Sequence, residues 1–299
     1  LYGAANLDQF GAFVSITEDG KRLAVASMRE HGPAGENDIG SVRVYEWNET
    51  HYVPRGSVLY GAQANARVMS LALSSKDGDV LAFGSSFYDH NGTANTGYAR
   101  VYAWNGTDYV QRGDTFYGSA ANDNMGLQLA LSETGNVFAV SEFQQDSNGL
   151  SNNGRVRVFD WSDSAWAERD PFIDGQASGE KIGYFGLSLS NDGNTVANGA
   201  AKQKKGLVRV HHWNGAAWGQ IDPDIRPDDP DAADYAGRVA LSGDGETLAV
   251  GGFMNDGANG VDSGHVRVFS VVHALPPPSP PPPTPPPPAP PPPNPLAAA

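Results

Sequence analysis

Two short sequence markers recur in step along the chain, and they constrain the fold more than any other feature. A turn that ends in glycine recurs at positions 58, 57, 58 and 52 residues apart, namely Gly20, Gly78, Gly135, Gly193 and Gly245. A Gly-x-(Val or Ala)-Arg-Val marker recurs at spacings of 57, 57, 52 and 58 and places Arg43, Arg100, Arg157, Arg209 and Arg267. Chance does not keep two independent markers aligned over five units, so the chain repeats one supersecondary unit.

Each unit predicts four antiparallel strands. In the first unit, Val14-Ser15-Ile16 leads to Asp19-Gly20, a strong hairpin signal, and Leu23-Ala24-Val25-Ala26 follows as the second strand. The third strand carries the arginine marker, and a fourth begins near Tyr52. No segment has a convincing helical period. Four-stranded units of about 50 to 60 residues without helices predict an all-β protein, a five-bladed β-propeller.

The ends of the repeat region suggest how the ring closes. Leu1-Tyr2-Gly3 precedes its turn glycine by the same 17 residues as Leu59-Tyr60-Gly61 precedes Gly78, whereas the fifth unit has no fourth strand before the prolines. We therefore predict that the N-terminal segment supplies the missing strand of the last blade. The alternative is that the five units are part of a larger ring.

A sharp change in composition marks the end of the propeller. Sixteen of the 22 prolines lie between Pro276 and Pro295. Such a run lacks amide donors and has φ fixed, so it predicts an extended polyproline II tail, about 62 Å long at about 3.1 Å per residue. We predict a propeller domain over residues 1–274 and a polyproline rod over 275–299.

Composition excludes several classes of function. The formal charge of −14 argues against nucleic acid or an anionic membrane as a partner, because both would repel the chain. The sequence has no Cys, which removes disulfides, thiolate chemistry and Cys-type zinc sites. No apolar run approaches the roughly 20 residues that a membrane-spanning helix needs. We predict no membrane span.

The repeats resemble FG-GAP-type β-propeller units over residues 1 to about 272. Phe10-Gly11, Phe185-Gly186 and the run from Leu241 to Gly252 carry this resemblance. The family includes the propellers of integrin α subunits and many surface proteins, so the resemblance implies adhesion or binding rather than catalysis. Familiar members have seven units, and the calcium-binding ones carry an Asp-x-Asp-x-Asp-Gly loop that is missing from these turns. Calcium binding is therefore not assigned to any residue.

The proline tail resembles the rods of hydroxyproline-rich cell-wall glycoproteins of green algae and plants. That resemblance implies proline hydroxylation and dense O-glycosylation. The candidate positions are Pro277, Pro278, Ser279, Pro281, Pro282, Pro283, Thr284, Pro286, Pro287, Pro288, Pro291, Pro292 and Pro293. Both resemblances imply an extracellular location.

The marker arginines and three sequons are the other candidate sites. Five arginines spread round a ring cannot converge on one ligand, so we predict a structural role in which each stacks on aromatic rings and pairs with a turn Asp. Asn48, Asn91 and Asn105 each begin an Asn-x-Thr sequon and are predicted N-glycosylation sites. Asn-Gly is also ordinary turn chemistry, as at Asn214-Gly215, which lacks the hydroxyl residue.

Charged loops and histidines give little support for other chemistry. The acidic stretch 222–234 could attract a hard cation, but a solvated loop is the simpler interpretation. His211 and His212 are adjacent on a strand and therefore face opposite sides. The chain contains no His-Glu-x-x-His, no Gly-x-Ser-x-Gly and no phosphate-binding glycine loop. We predict no catalytic residue, no metal site and no cofactor.

These patterns together predict a non-enzymatic extracellular structural glycoprotein. The leading hypothesis is a fibre or matrix subunit that forms a homo-oligomer or filament through its proline tail and carries covalent glycans. The second hypothesis is a carbohydrate- or protein-binding adhesion propeller, tethered by the tail as a stalk. The third is a hydrolase or lyase with its site on the loop face of the propeller.

Overall fold

The computed structural model describes residues 1–201, 206–221, 223–226, 236–256 and 260–271, and these residues form five antiparallel β-sheets with no helix. The first sheet contains β1 Phe10–Ile16, β2 Arg22–Ser27, β3 Ser41–Trp47, β4 Tyr52–Pro54 and β5 Leu59–Tyr60. The second contains β6 Ser70–Leu73, β7 Val80–Ser85, β8 Tyr98–Trp104, β9 Tyr109–Gln111 and β10 Phe116–Tyr117.

The third sheet contains β11 Met125–Leu131, β12 Val137–Glu142, β13 Arg155–Ser162, β14 Ala165–Glu168 and β15 Ile173–Asp174. The fourth contains β16 Gly186–Leu189, β17 Thr195–Ala200, β18 Leu207–Trp213 and β19 Trp218–Gln220. The fifth contains β20 Ala236–Leu241, β21 Thr247–Gly252 and β22 His265–Ser270. The predicted all-β, five-bladed propeller is confirmed.

The first marker forms the tight turn that joins the first two strands of a sheet. The amide of Gly20 donates to the carbonyl of Thr17 at 2.9 Å, and Gly20 has a φ of +69°, which glycine adopts without steric cost. The Asp19 carboxylate accepts hydrogen bonds from the Thr17 hydroxyl and the Lys21 amide, at 2.7 and 2.9 Å. The marker is therefore a self-capped turn that fixes the register of β1 on β2.

Apolar side chains between neighbouring sheets form the core. Alternate residues of a strand face opposite neighbours, so Val42 and Val44 of the first sheet pack with Leu81 and Phe83 of the second. Three further clusters join the second sheet to the third, the third to the fourth and the fourth to the fifth. The sheets approach closely at the second marker, where a Cβ on Gly97 would lie 2.1 Å from the Met125 carbonyl oxygen. Only glycine fits there.

The predicted closure by the N-terminal segment is not formed in the described part of the chain. Leu1-Tyr2-Gly3 belongs to no strand, and β22 pairs with β21 alone among the described strands. The segment does share its local chemistry with the other repeats, because Asp8 accepts from the Ala5 amide at 2.6 Å as Asp123 does from Ala120 at 2.7 Å. The sequence similarity between repeats thus predicts the hydrogen bonds within this loop correctly. Pairing of Leu1-Tyr2-Gly3 with β22 would also require the fifth sheet to pack on the first.

The proline tail, with all its predicted hydroxylation and O-glycosylation positions, lies outside the described residues, as does most of the acidic stretch 222–234. The predicted boundary near residue 274 is likewise a prediction that rests on sequence alone. No helix in the described ranges is long and apolar enough to cross a membrane.

The packing between sheets predicts that one large-to-small substitution strongly destabilises the protein. Phe138 on β12 is fully buried between the second and third sheets and contacts Phe116 and Phe159. We expect Phe138→Ala to lower the free energy of unfolding by about 3 to 5 kcal/mol, because the lost burial leaves a cavity. Urea denaturation measures this, with the exposed Val261→Ala as control. Equal unfolding midpoints for the two variants would contradict the assigned core.

Candidate ligand-binding site

A cavity of about 720 Å³ opens at one end of the second, third and fourth sheets. In an antiparallel sheet the first strand starts where the second strand ends, so both contribute residues to the same edge. Met69 precedes β6 and Ser86 follows β7, while Asn124 precedes β11 and Phe143 follows β12. The cavity therefore lies on the loop face of the propeller.

The loops before the first strands of the first four sheets share one backbone conformation. Two positions in each loop have positive φ, namely Leu7 and Gln9, Asn65 and Arg67, Asn122 and Asn124, and Gly179 and Lys181. Backbone hydrogen bonds hold these loops to the preceding sheet. The backbone amide of Asn124 donates to the backbone carbonyl of Asn95 at 3.0 Å, and that of Lys181 donates to the carbonyl of Asn152 at 3.1 Å. Asn tolerates this conformation, whereas Lys181 adopts it at a steric cost that the surrounding contacts must offset.

The cavity side chains form a directed chain of hydrogen bonds. The Lys181 ammonium donates to Gln144 Oε1 at 3.0 Å. The Gln144 amide donates in turn to Asn124 Oδ1, and the Asn124 amide donates to the Ser86 carbonyl at 2.8 Å. An ammonium has three donors, and this chain uses one of them. Lys181 is thus held in place and still has hydrogen atoms to offer a ligand.

The charge of the cavity is opposite to that of the whole protein. Lys181 is the one charged side chain among the described lining residues, while the chain carries a formal charge of −14. The walls are aromatic, with Phe87, Phe143, Tyr184 and Phe185 around the amides. A few hydrogen-bonded polar side chains in an apolar, concave wall are the usual composition of a small-molecule site.

Two acidic residues adjacent in sequence to lining residues, Glu142 and Asp123, are buried and do not line this cavity themselves. Burial raises the pKa of Glu142 to about 7, against the opposing effect of Arg157, whose guanidinium lies 3.2 Å away. Burial also raises the pKa of Asp123, which lines an adjacent cavity of about 320 Å³. The two cavities share Asn122 and Gln144. These carboxyls retain protons more readily than exposed ones do.

The marker arginines lie in separate sheets and do not meet. Among the described residues, Arg43 pairs with both oxygens of Glu30 at 2.6 Å, Arg157 with Glu142 and Glu168, and Arg209 with Glu180 and Asp224, rather than with an Asp of the hairpin turns. Arg100 bonds the Thr115 hydroxyl at 3.0 Å and lies over the Tyr98 ring, and Arg267 bonds the Arg226 carbonyl at 2.6 Å and lies over the Phe269 ring.

One of these ion pairs supports the cavity. Arg209 contacts Glu180 at 2.6 Å, and both side chains are buried. The other oxygen of Glu180 accepts from the Gln176 and Ala177 amides, which closes the loop that ends in Lys181. Repeat-based reasoning identified Arg209 but missed the cavity, because a repeat pattern emphasises what the loops share. The signal in the sequence is the residue at this equivalent loop position, which is Gln9, Arg67, Asn124 and Lys181 in the first four sheets and is a lysine only in the fourth.

The three sequons lie in exposed turns. The Asn48 and Asn105 side-chain oxygens accept hydrogen bonds from the backbone amides two and three residues later, and these bonds do not use the side-chain nitrogens that a glycan would modify. The Asn91 amide nitrogen instead contacts the His90 ring at 3.0 Å.

The described histidines and acidic residues give no sign of a metal site. Burial lowers the pKa of His211 to about 4. No group of three potential metal-ligating side chains occurs within the described ranges.

No protein-family model matches the chain, and no curated protein matches it. The structure is similar to the periplasmic gluconolactonase PpgL of Pseudomonas aeruginosa, with a TM-score of 0.55 and 17% identity over 80% of this chain and 64% of that one. It is also similar to a Bacteroides uniformis protein assigned as a 6-phosphogluconolactonase, with a TM-score of 0.53 and 13% identity over 87% and 67%. Hydrazine synthase of Kuenenia stuttgartiensis matches with a TM-score of 0.50 and 15% identity over 80% and 61%.

The chain thus spans about two thirds of the length of the solved proteins it matches. At these identities the similarity shows the propeller fold and not a shared activity.

The similar structures overturn the predicted function. They are named as enzymes and not as matrix subunits, so the prediction of a non-enzymatic structural protein that assembles through its tail is wrong, and the tethered adhesion propeller fails with it. The physical reason is that repeats and proline content specify strands, turns and a rod. Activity depends on individual loop side chains, about which those patterns carry no information.

The raised pKa of Glu142 predicts a pH-dependent stability. A carboxyl whose folded pKa is near 7 and whose unfolded pKa is 4.5 contributes stability that is fully present below pH 4.5 and is lost as the pH rises through 7. We expect the free energy of unfolding to fall by about 3 kcal/mol over this pH range. Glu142→Gln should flatten this dependence, and Glu18→Gln, in an exposed turn, should not. Parallel pH profiles for all three proteins, measured by urea denaturation, would contradict the assignment.

Proposed function

We propose that the loop-face cavity binds a small polyhydroxylated molecule and that the protein hydrolyses a sugar lactone there. The observation that carries this proposal is the directed chain from Lys181 through Gln144 to Asn124, set in an aromatic wall without a carboxylate among its described lining residues. Amides both donate and accept, so they match the hydroxyl groups of a sugar. A volume of about 720 Å³ is ample for one such ring.

The chemistry requires a polarised carbonyl and a water molecule. Water adds to the lactone carbonyl carbon, the ring C–O bond breaks, and the water protons are shared between the new carboxyl and hydroxyl groups. Negative charge develops on the carbonyl oxygen in the transition state. A fixed ammonium at the wall of a concave, aromatic-lined cavity stabilises that charge, so we assign this role to Lys181.

Two supports come from outside the cavity. The similar fold is that of proteins named as a gluconolactonase and assigned as a 6-phosphogluconolactonase, which makes lactone hydrolysis a reaction that this architecture accommodates. The acidic surface would repel a carboxylate product once it leaves the positive lining.

Removing the ammonium tests the proposal. We expect Lys181→Met to lower kcat for glucono-lactone hydrolysis by about 10²- to 10³-fold, because the oxyanion loses its cationic donor. Lys76→Met removes an equal charge from an exposed turn and should leave the rate unchanged. Acid release in a pH-stat, with a panel of five- and six-membered sugar lactones, measures both. No hydrolysis of any lactone by the wild-type protein, or equal rates for both variants, would contradict the proposal.

Three further properties are proposed from sequence alone. The repeats are of FG-GAP type, the tail is hydroxylated and O-glycosylated, and the protein is extracellular with N-glycans. The compositional resemblance of the tail and the three sequons support these statements. Extracellular placement is compatible with a chain that contains no Cys, because disulfides are common there but not obligatory.

Glycosylation can be tested with a control in the same kind of turn. We expect the protein expressed in an N-glycosylating host to lose mass on treatment with an N-glycosidase, and Asn48→Gln and Asn105→Gln each to remove one glycan. Asn214→Gln alters a turn of the same geometry that lacks the hydroxyl residue, so it should change nothing. Intact mass spectrometry measures all three, and an unchanged mass after treatment of the wild-type protein would refute this assignment.

A further inference from the structure

The two end sheets of the propeller each leave an apolar face in solvent. On β1, Val14 and Ile16 are 63% and 52% exposed, and on β22, Val266 and Val268 are 71% and 67% exposed. These residues occupy strand positions that face a neighbouring sheet elsewhere in the fold. We call the β1 side the first-sheet face and the β22 side the fifth-sheet face.

The four internal seams show what normally covers such faces. In each seam, the face of one sheet that lacks the marker arginine packs on the arginine-bearing face of the next sheet, as Val44 does with Phe83. The fifth-sheet face is of the first kind, because Val266 and Val268 flank Arg267 on the strand and point away from it. The first-sheet face is of the second kind, because Val14 pairs through Val25 with Arg43. The two exposed faces are therefore complementary.

A backbone contact also recurs at each internal seam. An apolar residue pairs with the third strand of the sheet before it, as Leu59 does with Val42, Phe116 with Ala99, Ile173 with Val156 and Ile225 with Val208. By the same register the fifth sheet should receive a residue at Val266, and within the described residues it receives none. Leu1 is the residue equivalent to Leu59, yet it lies outside every strand and the following Tyr2 is 95% exposed.

We propose that this open seam is an association surface that takes a second copy of the chain. The fifth-sheet face of one copy packs on the first-sheet face of another, and Leu1-Tyr2 of the second copy adds to β22 beside Val266 and His265. A second copy is the occupant because it carries both the arginine-bearing face and the Leu-Tyr strand that the four internal seams use. The contact continues an interface that the chain already forms within itself.

The contact is head-to-tail, so each added copy leaves one face of each kind free. Association of this type yields a series of oligomers unless the rotation closes a ring. Since the two partners use different faces, damage to either face abolishes self-association. Two copies with different damaged faces should still form one seam.

Complementation between two variants tests the proposal. Val268→Asp places a charge on the fifth-sheet face and Val14→Asp places one on the first-sheet face. Each substitution should weaken self-association by at least about tenfold, so each variant alone should sediment as a monomer. An equimolar mixture should form a dimer and stop there. Val110→Asp, at another exposed valine on β9, should associate like wild type. Analytical ultracentrifugation over a concentration series measures all four. Monomeric wild-type protein throughout, or a mixture that stays monomeric, would overturn the proposal.

Cross-linking separates association from closure within one chain and does not depend on the aspartate variants folding. The chain has no Cys, so Tyr2→Cys and His265→Cys introduce single thiols. We expect oxidation of a mixture of these two variants to give a disulfide-linked dimer on a non-reducing gel. Oxidation of the double variant should also give linked oligomers. A double variant that forms only an intramolecular disulfide would show that the ring closes on its own N-terminus and would refute the second-copy assignment.

Discussion

Packing of one sheet face on the next is the interaction on which the rest of this structure depends. A four-stranded sheet with apolar residues on both faces cannot be stable alone in water, because each face exposes area that burial would stabilise at roughly 25 cal/mol per Å². The interior strands β7 and β12 are buried at every position, which shows that both faces are covered there. The end sheets differ, and their exposed valines show directly what each internal seam removes from water.

The buried arginines link this packing to the loops. A buried ion pair adds little net stability, because the cost of removing both charges from water offsets their attraction. Its effect here is positional: Arg209 holds Glu180, and Glu180 holds the backbone of the loop that presents Lys181. The fourth sheet therefore transmits the placement of its third strand, β18, to the loop that precedes its own first strand, β16. The cavity depends on this link, since that loop carries Lys181 into its lining.

Sequence reasoning predicted the strands and turns well because their causes are local. The Asp19-Gly20 turn is capped by its own side chains, and its repetition specified five units directly. Ring closure could not be predicted in the same way, because Leu1-Tyr2-Gly3 matches Leu59-Tyr60-Gly61 in sequence but pairing also depends on where a distant sheet lies. The cavity was missed for a related reason. Its residues are far apart in sequence, and the network from Lys181 to Ser86 exists only once three sheets are packed.

The position of the site follows from how equivalent loops diverge. Arg67 and Lys181 occupy the same place in two loops with the same backbone conformation, and both carry a positive charge. Arg67 lies 3.9 Å from the Asp38 carboxylate, so it has an acidic partner, which it shares with Arg29. Lys181 bonds the neutral Gln144 amide, and no carboxylate pairs with it in the described part of the chain. An uncompensated charge held by a neutral partner exerts its field on whatever enters the cavity. The repeated backbone alone would give equivalent loops in every sheet. The site becomes distinct, and able to bind a ligand, because the basic side chain at this loop position in the fourth sheet bonds a neutral amide and not a carboxylate.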